Sequence, residues 1–262
     1  MENYKEIAIS AAMKAGRLLL DHLDRTNRFL VNQKQKFDFA TEVDAKSEEI
    51  IIITIKEQCP GHAIFSEESV KEPATGGYRW IIDPLDGTTN YIHNYPAFAV
   101  SIALEYDGEI ILGLVYDPIR DELFCGERGI GAYLNEKPIH VSSIFNMKDC
   151  LLATGFPVRC HQYLNQYLTS FKRIFMQVSG IRRAGAAALD LAYVACGRCD
   201  GFWEVRLSPW DIAAGSLLVQ EAGGIISDFR GTDQHIWTGS VVAGNKAIYR
   251  EILKVVQEVF LF

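Results

Sequence analysis

Apolar positions in this chain recur with two different periods. From Ile7 to Leu23 they fall at Ile7, Ala11, Ala15, Leu18, Leu19 and then His22 or Leu23, the spacing of one face of an amphipathic helix. Thr41-Glu42-Val43-Asp44, followed by a periodic apolar run to Ile55, predicts a second helix opened by a capping box, and capping alone accounts for Asp44. Elsewhere the pattern turns strand-like. Phe29 to Gln33 predicts a short strand leading into a polar turn, Lys34-Gln35-Lys36-Phe37-Asp38, and Ala63 to Ser66 a strand that ends at Glu67-Glu68. Phe98 to Glu105 and Ile110 to Tyr116 alternate around Asp107-Gly108, the signal of a β-hairpin, and Glu122 to Cys125 adds a further strand.

Around residues 135–148 the pattern changes to strands alternating with helices. Leu151 to Thr154 reads as a strand, His161 to Phe175 as a helix, Ala186 to Ala195 as an alanine-rich buried helix and Gly201 to Glu204 as a strand. Pro209 then opens a helix through Glu221 that Gly223-Gly224 ends, and a last helix runs from Lys246 to Phe260. The expected fold is therefore α+β to α/β in two packed halves, 1–142 with an antiparallel sheet and 143–262 of α/β type.

One stretch stands out against this background. Trp80-Ile81-Ile82 runs straight into Asp83-Pro84-Leu85-Asp86-Gly87-Thr88-Thr89-Asn90, a buried strand ending in a tight turn that opens a short helix. Two carboxylates three residues apart can face one point only if a cation offsets their repulsion. Gly87, Thr88 and Thr89 bring backbone N–H groups to a helix start, which suits a phosphate. The same residues also make an ordinary turn and cap.

With 262 residues, of which 48% are hydrophobic, the chain can fill a sizeable core. A net charge of −7 without a basic run argues against nucleic acid or an anionic membrane as the main partner. The start lacks a signal-peptide pattern and no apolar run reaches membrane-spanning length, so a cytoplasmic protein is expected. The scattered cysteines, at 59, 125, 150, 160, 196 and 199, suit reduced thiols; Cys196-Gly197-Arg198-Cys199 lacks the second pair a zinc site needs. Gly129-Ile130-Gly131 lacks the third glycine of a dinucleotide site and reads as close backbone approach in a sheet. No P-loop motif occurs, and the spacing of Asp83 and Asp86 does not match the D-x-D pattern of aspartate-nucleophile phosphatases.

The run Asp83-Pro84-Leu85-Asp86-Gly87-Thr88-Thr89-Asn90 resembles the first signature of the inositol monophosphatase family, and Trp210-Asp211-Ile212-Ala213-Ala214-Gly215 resembles its second. Phe65-Ser66-Glu67-Glu68-Ser69, Asp38 to Asp44 and Gly129 to Tyr133 match in register. The resemblance implies a layered αβαβα sandwich of the sugar-phosphatase type. It implies a Mg²⁺-dependent phosphomonoesterase for inositol monophosphate or a related sugar or polyol phosphate, working as a homodimer. Fructose-1,6-bisphosphatase activity is the alternative, and a regulatory binding protein on the same fold is the alternative of another class.

By the same resemblance two or three Mg²⁺ ions, replaceable by Mn²⁺, are held by Glu67, Asp83 and the Leu85 carbonyl, and by Asp83, Asp86 and Asp211. Asp44 pairs with Thr88 to orient the attacking water, with Glu67 alongside. Asp86 and the N–H groups of Gly87 and Thr88 meet the phosphate, Glu204 and the Ala187 backbone meet the polyol, and Arg183, next to Arg182, meets a second phosphate. Lys34 or Lys36 approaches the water, with Lys34 preferred, and Glu68 stands in an outer shell. Ala186 departs from the family's usual Ser or Thr, and Cys196 and Cys199 from its small or apolar residues.

Overall fold

The structure, a computed structural model, describes residues 4–23, 42–69, 71, 76–156 and 161–260 in full, and 32–35 and 38–40 as backbone. The first elements in chain order are α1 (Tyr4–Leu23), β1 (Asn32–Gln35), β2 (Asp38–Ala40), α2 (Glu42–Gln58), β3 (Ala63–Ser66), β4 (Tyr78–Asp86) and α3 (Thr88–Ile92). A run of strands follows: β5 (Ala99–Tyr106), β6 (Glu109–Asp117), β7 (Glu122–Glu127), β8 (Gly131–Leu134) and β9 (Lys137–Pro138). Then come β10 (Leu151–Thr154), α4 (Leu164–Phe175), β11 (Gly180–Arg182), α5 (Ala187–Ala195) and β12 (Gly201–Glu204). The chain closes with α6 (Pro209–Glu221), β13 (Ile225–Ser227), α7 (His235–Thr238), β14 (Val241–Gly244) and α8 (Lys246–Phe260).

Two sheets organise these elements. The larger has the order β3-β4-β5-β6-β7-β8-β9, antiparallel throughout except for the parallel pair β3–β4. The smaller has the order β11-β10-β12-β14-β13, with β10 parallel to both its neighbours. Strand alternation sorts side chains into separate cores. Trp80 and Ile82 of β4 join Val100, Ile102 and Leu104 of β5 beneath α1 and α2, whereas Ile81, Ala99 and Ala103 point the other way, onto α5 and α6. In the smaller sheet Ala153, Phe202 and Ala243 also face α5 and α6, and Leu152, Trp203 and Val242 pack under α4 and α8. The result is the expected αβαβα sandwich. Its central helical layer is thin because its residues are small: a Cβ on Gly113 of β6 would meet the Ala214 carbonyl oxygen of α6 at 2.5 Å.

Three local expectations are corrected. The strand expected at 29–33 is described from Asn32 onward and continues through Lys34 and Gln35, where a turn was expected, because β2 pairs with it antiparallel. β4 does not stop before its carboxylates but runs through Asp86, with its pairing to β5 slipping between Asp83 and Asp86. Pro84, which has no N–H to give a ladder, sits in that irregularity. The helix expected from His161 begins as a 3-10 turn, His161–Tyr163, before α4. Thr41 and residues 72–75 lie outside the described residues. No described helix is long and apolar enough to cross a membrane.

Candidate active site

The slip in β4 builds the centre of the site. Ser47 of α2 donates to the Pro84 carbonyl at 2.9 Å, and the Leu85 N–H donates to Asp83 Oδ1 at 3.0 Å, so the turn is held from both sides. Gly87 follows with φ +95°, a left-handed backbone in which a Cβ would meet the Ala97 carbonyl oxygen at 2.9 Å. Past Gly87 the chain enters α3, and the Thr88 hydroxyl lies 3.3 Å from Asp44 Oδ2 and 3.2 Å from the Leu85 carbonyl oxygen. One hydroxyl proton serves one of these acceptors at a time.

Asp211 arrives from the second half of the chain, in the first turn of α6. Ser208 and Asp211 form a capping box in which the Ser208 N–H donates to Asp211 Oδ2 at 2.7 Å. Asp86 Oδ2 accepts the Ala188 N–H of α5 at 2.8 Å. Asp83, Asp86 and Asp211 each present a carboxylate oxygen, all within 4.8 Å of one another. Asp83 is only 1% exposed, and its pKa is raised well above the usual carboxylate range, first by burial and then by Glu67, Asp86, Asp211 and Asp44. Acidic groups crowded out of water at this spacing call for protons or cations, and a donor set of oxygens alone fits a hard divalent ion.

Asp83, Asp86 and Asp211 line a cleft of about 360 Å³, together with Glu67, Leu85, Gly87, Thr88, Ala187, Glu204 and Arg183; Asp44 is not among the lining residues and reaches the site through Thr88. Glu67 is therefore brought to the cleft, although it stands outside the tight group of three. Glu68 is not among the lining residues; its N–H donates to Glu48 at 2.9 Å. Lys34 belongs to β1, but its side chain, and Lys36 altogether, lie outside the described residues. The Glu204 carboxylate lies against Gly155, where a Cβ would collide with it. Ala186 is buried and also lines the cleft.

Several residues at the site had no role in the sequence reading. Glu48 of α2 is buried and accepts from the Ser66 hydroxyl, the Glu68 N–H, and both the N–H and hydroxyl of Ser69, which fastens the loop that carries Glu67. Asn90 Nδ2 donates to Ala97 O at 2.6 Å and lies 2.8 Å from Ala184 O, tying α3 to the loop that enters α5. Asp190 of α5 is buried, and its pKa is raised first by burial and then by Glu204 and Asp86, with Arg183 opposing.

Two features are explained without chemistry. The N–H groups of Gly129 and Gly131 donate to the Glu221 carboxylate at 2.9 and 3.0 Å, so the glycine pair serves the packing of β8 on α6. Cys196 and Cys199 are free thiols, and burial pushes Cys196 up and Cys199 up to about 12, away from the reactive thiolate.

The five-layer fold with an all-oxygen acidic cleft is that of the layered α/β proteins of sugar-phosphatase type. The model of the inositol monophosphatase family matches residues 1–260, and the chain belongs to that family. Nus factor SuhB of Pseudomonas aeruginosa is 47% identical over 262 residues, covering 98% of this chain and 97% of its own length. Inositol-1-monophosphatase of Mesorhizobium japonicum is 44% identical over 253 residues, covering 96% and 95%. Among solved structures, extragenic suppressor protein suhB from Bartonella henselae matches with a TM-score of 0.94 at 42% identity, covering 97% of this chain and 98% of that one.

Proposed function

We propose that this chain is a Mg²⁺-dependent phosphomonoesterase that hydrolyses inositol monophosphate or a related sugar or polyol phosphate. The observation that carries this is the meeting of Asp83, Asp86 and Asp211, with oxygens within 4.8 Å, in a cleft that also contains Glu204. Glu67, Asp83 and the Leu85 carbonyl would hold one ion and Asp83, Asp86 and Asp211 a second, with Glu68 and Lys34 as outer residues; Mn²⁺ fits the same donors. The bound ions would neutralise the cleft for an anionic substrate and supply an acidified water.

The chain's own groups do the rest. The Thr88 hydroxyl, between Asp44 and the Leu85 carbonyl, accepts a proton from the attacking water as it passes its own to Asp44. Asp86 and the N–H groups of Gly87 and Thr88 orient the phosphoryl group, and Glu204 with the Ala187 backbone reads the polyol hydroxyls. Arg183 would take a second phosphate, which makes fructose 1,6-bisphosphate the alternative substrate. The working unit is taken to be a cytoplasmic homodimer of chains with halves 1–142 and 143–262.

The test is release of phosphate from inositol 1-phosphate, fructose 1,6-bisphosphate and an aryl phosphate, each with Mg²⁺ and with chelator. Metal-dependent release from at least one is expected; none from any would reject the proposal. The name Nus factor borne by the P. aeruginosa relative favours a second reading, a regulatory binding protein on the same fold. A folded chain without metal-dependent turnover of any ester would favour it.

A further inference from the structure

One face of the larger sheet carries a carboxylate of the site at one end and a buried charge pair at the other. Along β4 the side chains of Arg79, Ile81 and Asp83 alternate onto the same face, opposite Glu105, Ala103 and Ser101 of β5. Ile81 and Ala103 face α5 and α6, so Arg79 and Glu105 are turned toward the central layer as well. Arg79 is 8% exposed and Glu105 5%. Two guanidinium nitrogens of Arg79 converge on one oxygen of Glu105: Nε donates to Oε2 at 2.7 Å, and Nη2 lies 2.5 Å from the same atom. A buried ion pair is a weak source of stability, because the cost of taking two charges out of water offsets their attraction. Apolar side chains would fill this place without that cost.

The contacts of the pair lead to the carboxylate cluster. The Arg79 guanidinium lies 5.5 Å from the centre of the Phe65 ring and 5.1 Å from that of the Trp237 ring. Phe65 in turn packs on Trp210, with ring centres 5.6 Å apart and planes tilted by 47°. Phe65 stands two residues before Glu67, on β3 beside β4, and Trp210 immediately precedes Asp211 at the start of α6. Ser101, opposite Asp83, donates from its hydroxyl to the Trp210 carbonyl at 3.2 Å. The Phe65–Trp210 contact therefore joins the segments that carry Glu67 and Asp211, which come from opposite halves of the chain, and Phe65 rests on Arg79. Arg79 is four residues from Asp83, about 13 Å along an extended strand. At that distance the pair acts on the cluster through the rings and not by contact.

We propose that Arg79 and Glu105 are positioning residues of the cation site: the clamped guanidinium fixes the Phe65 ring, the ring fixes Trp210, and the spacing of Glu67 and Asp211 follows. This rests on the reading of the carboxylate cluster as a divalent-cation site. A guanidinium held by two N–H groups presents a flat face in one orientation, whereas an aliphatic side chain of similar bulk repacks among several rotamers. Ligand spacing matters because Mg²⁺ demands near-ideal octahedral geometry. The pair contributes to ion affinity and little to stability.

The experiment is a calorimetric titration of Mg²⁺ into the substrate-free protein, with melting curves in chelator, for the wild type, R79M/E105L and R79K. Removing both charges together leaves neither buried alone, so the double mutant should melt close to the wild type or above it. Its Kd for Mg²⁺ should rise roughly tenfold, the low end of what losing an outer support of a metal site costs. R79K keeps the charge without the planar fork and should fall in between. Unchanged Mg²⁺ affinity in a folded double mutant overturns the proposal. A lowered melting temperature with affinity retained also overturns it, since that is the mark of a purely structural pair. If the double mutant does not fold, R79K decides: weaker binding at a wild-type melting temperature supports the proposal, and wild-type affinity overturns it. A wild type that takes up no Mg²⁺ overturns the cation-site reading and the positioning role with it. No substrate is present, so these outcomes stand whether or not any ester is hydrolysed, and failure of the phosphatase reading is told apart from failure of the proposal.

Discussion

Replacing Asp83 by asparagine should make the metal-free protein more stable and remove its thermal response to Mg²⁺. Asp83 shares with Asp86 and Asp211 a set of oxygens within 4.8 Å. At that separation two full charges repel by about 3 kcal/mol at an effective dielectric of about 20. Proton uptake and the spread of charge over each carboxylate reduce this, so a net gain of about 1–3 kcal/mol is expected in the metal-free mutant. For a chain of this size each kcal/mol moves Tm by about 2–4 °C. Asparagine can still accept the Leu85 N–H, so the turn survives the change.

The pH dependence of that gain follows from linkage. The folded-state pKa of Asp83 is raised, so the folded protein holds the proton after the unfolded chain has lost it. The metal-free wild type therefore loses stability as pH rises from the ordinary carboxylate pKa of 3.8 towards the raised value, and the penalty is fully present above it. The difference between mutant and wild type should be largest near neutral pH and shrink on acidification. Melting curves of both proteins in chelator and in Mg²⁺, at pH 7 and at pH 5, measure it. A mutant less stable than the wild type in chelator, or one still raised by Mg²⁺ as much as the wild type, refutes the assignment of Asp83 to a cation site.

Thr88→Ala and Asp44→Asn should each lower kcat by ~10²-fold or more with little change in KM, and the double mutant should lose little beyond either. An additive cycle, with Asp44→Asn acting only on Tm, would reduce Asp44 to a helix cap. Glu204→Ala should raise KM for inositol 1-phosphate more than for a small aryl phosphate, because only the former has hydroxyls for the carboxylate to bind; equal effects would make Glu204 structural. His235 is buried with Nε2 2.6 Å from the Ser216 hydroxyl oxygen, and burial lowers its pKa from 6.5 to about 4. Its lowered folded pKa means stability that is present above pH 6.5 and lost as pH falls towards 4, up to about 3 kcal/mol. Denaturant melts across that range should show His235→Gln with a flatter profile, and parallel profiles would exclude this source.

How much of the site was legible depended on the range of the forces that build it. The β4 turn and the α6 start could be read locally, because a strand running into Asp, Pro and Gly, and a Ser-Pro-Trp-Asp cap, are properties of a few neighbouring residues. Glu48 could not: it sits in an ordinary polar stretch of α2, and only the fold brings Ser66 and Ser69 to its carboxylate. Asn90, Asp190, Gly155 and Arg79 likewise take their roles from partners distant in sequence. The short strands β11, β13 and β14 were also missed. Each has three or four residues, and β14 is buried along its whole length, so its sequence carries no alternation to mark it.

Asp211 shows why local physics and function could not be told apart from sequence. By default an aspartate in a first helical turn is a cap, and Asp211 is one, with Oδ2 taking the Ser208 N–H. The same holds for its companions: Asp83 Oδ1 takes the Leu85 N–H and Asp86 Oδ2 the Ala188 N–H. In each case a backbone donor occupies one oxygen and fixes the plane of the carboxylate, so that the three groups converge without any being free to turn away. Capping is therefore the means by which the cluster is held, and a rigid first set of ligands is what a cation or a reacting phosphate requires. Cap and ligand are not exclusive roles, since one arrangement of the carboxylate can serve both. The deciding information is the meeting of Asp211, at the start of a central-layer helix, with Asp83 and Asp86 at the end of β4, and that is a property of the fold.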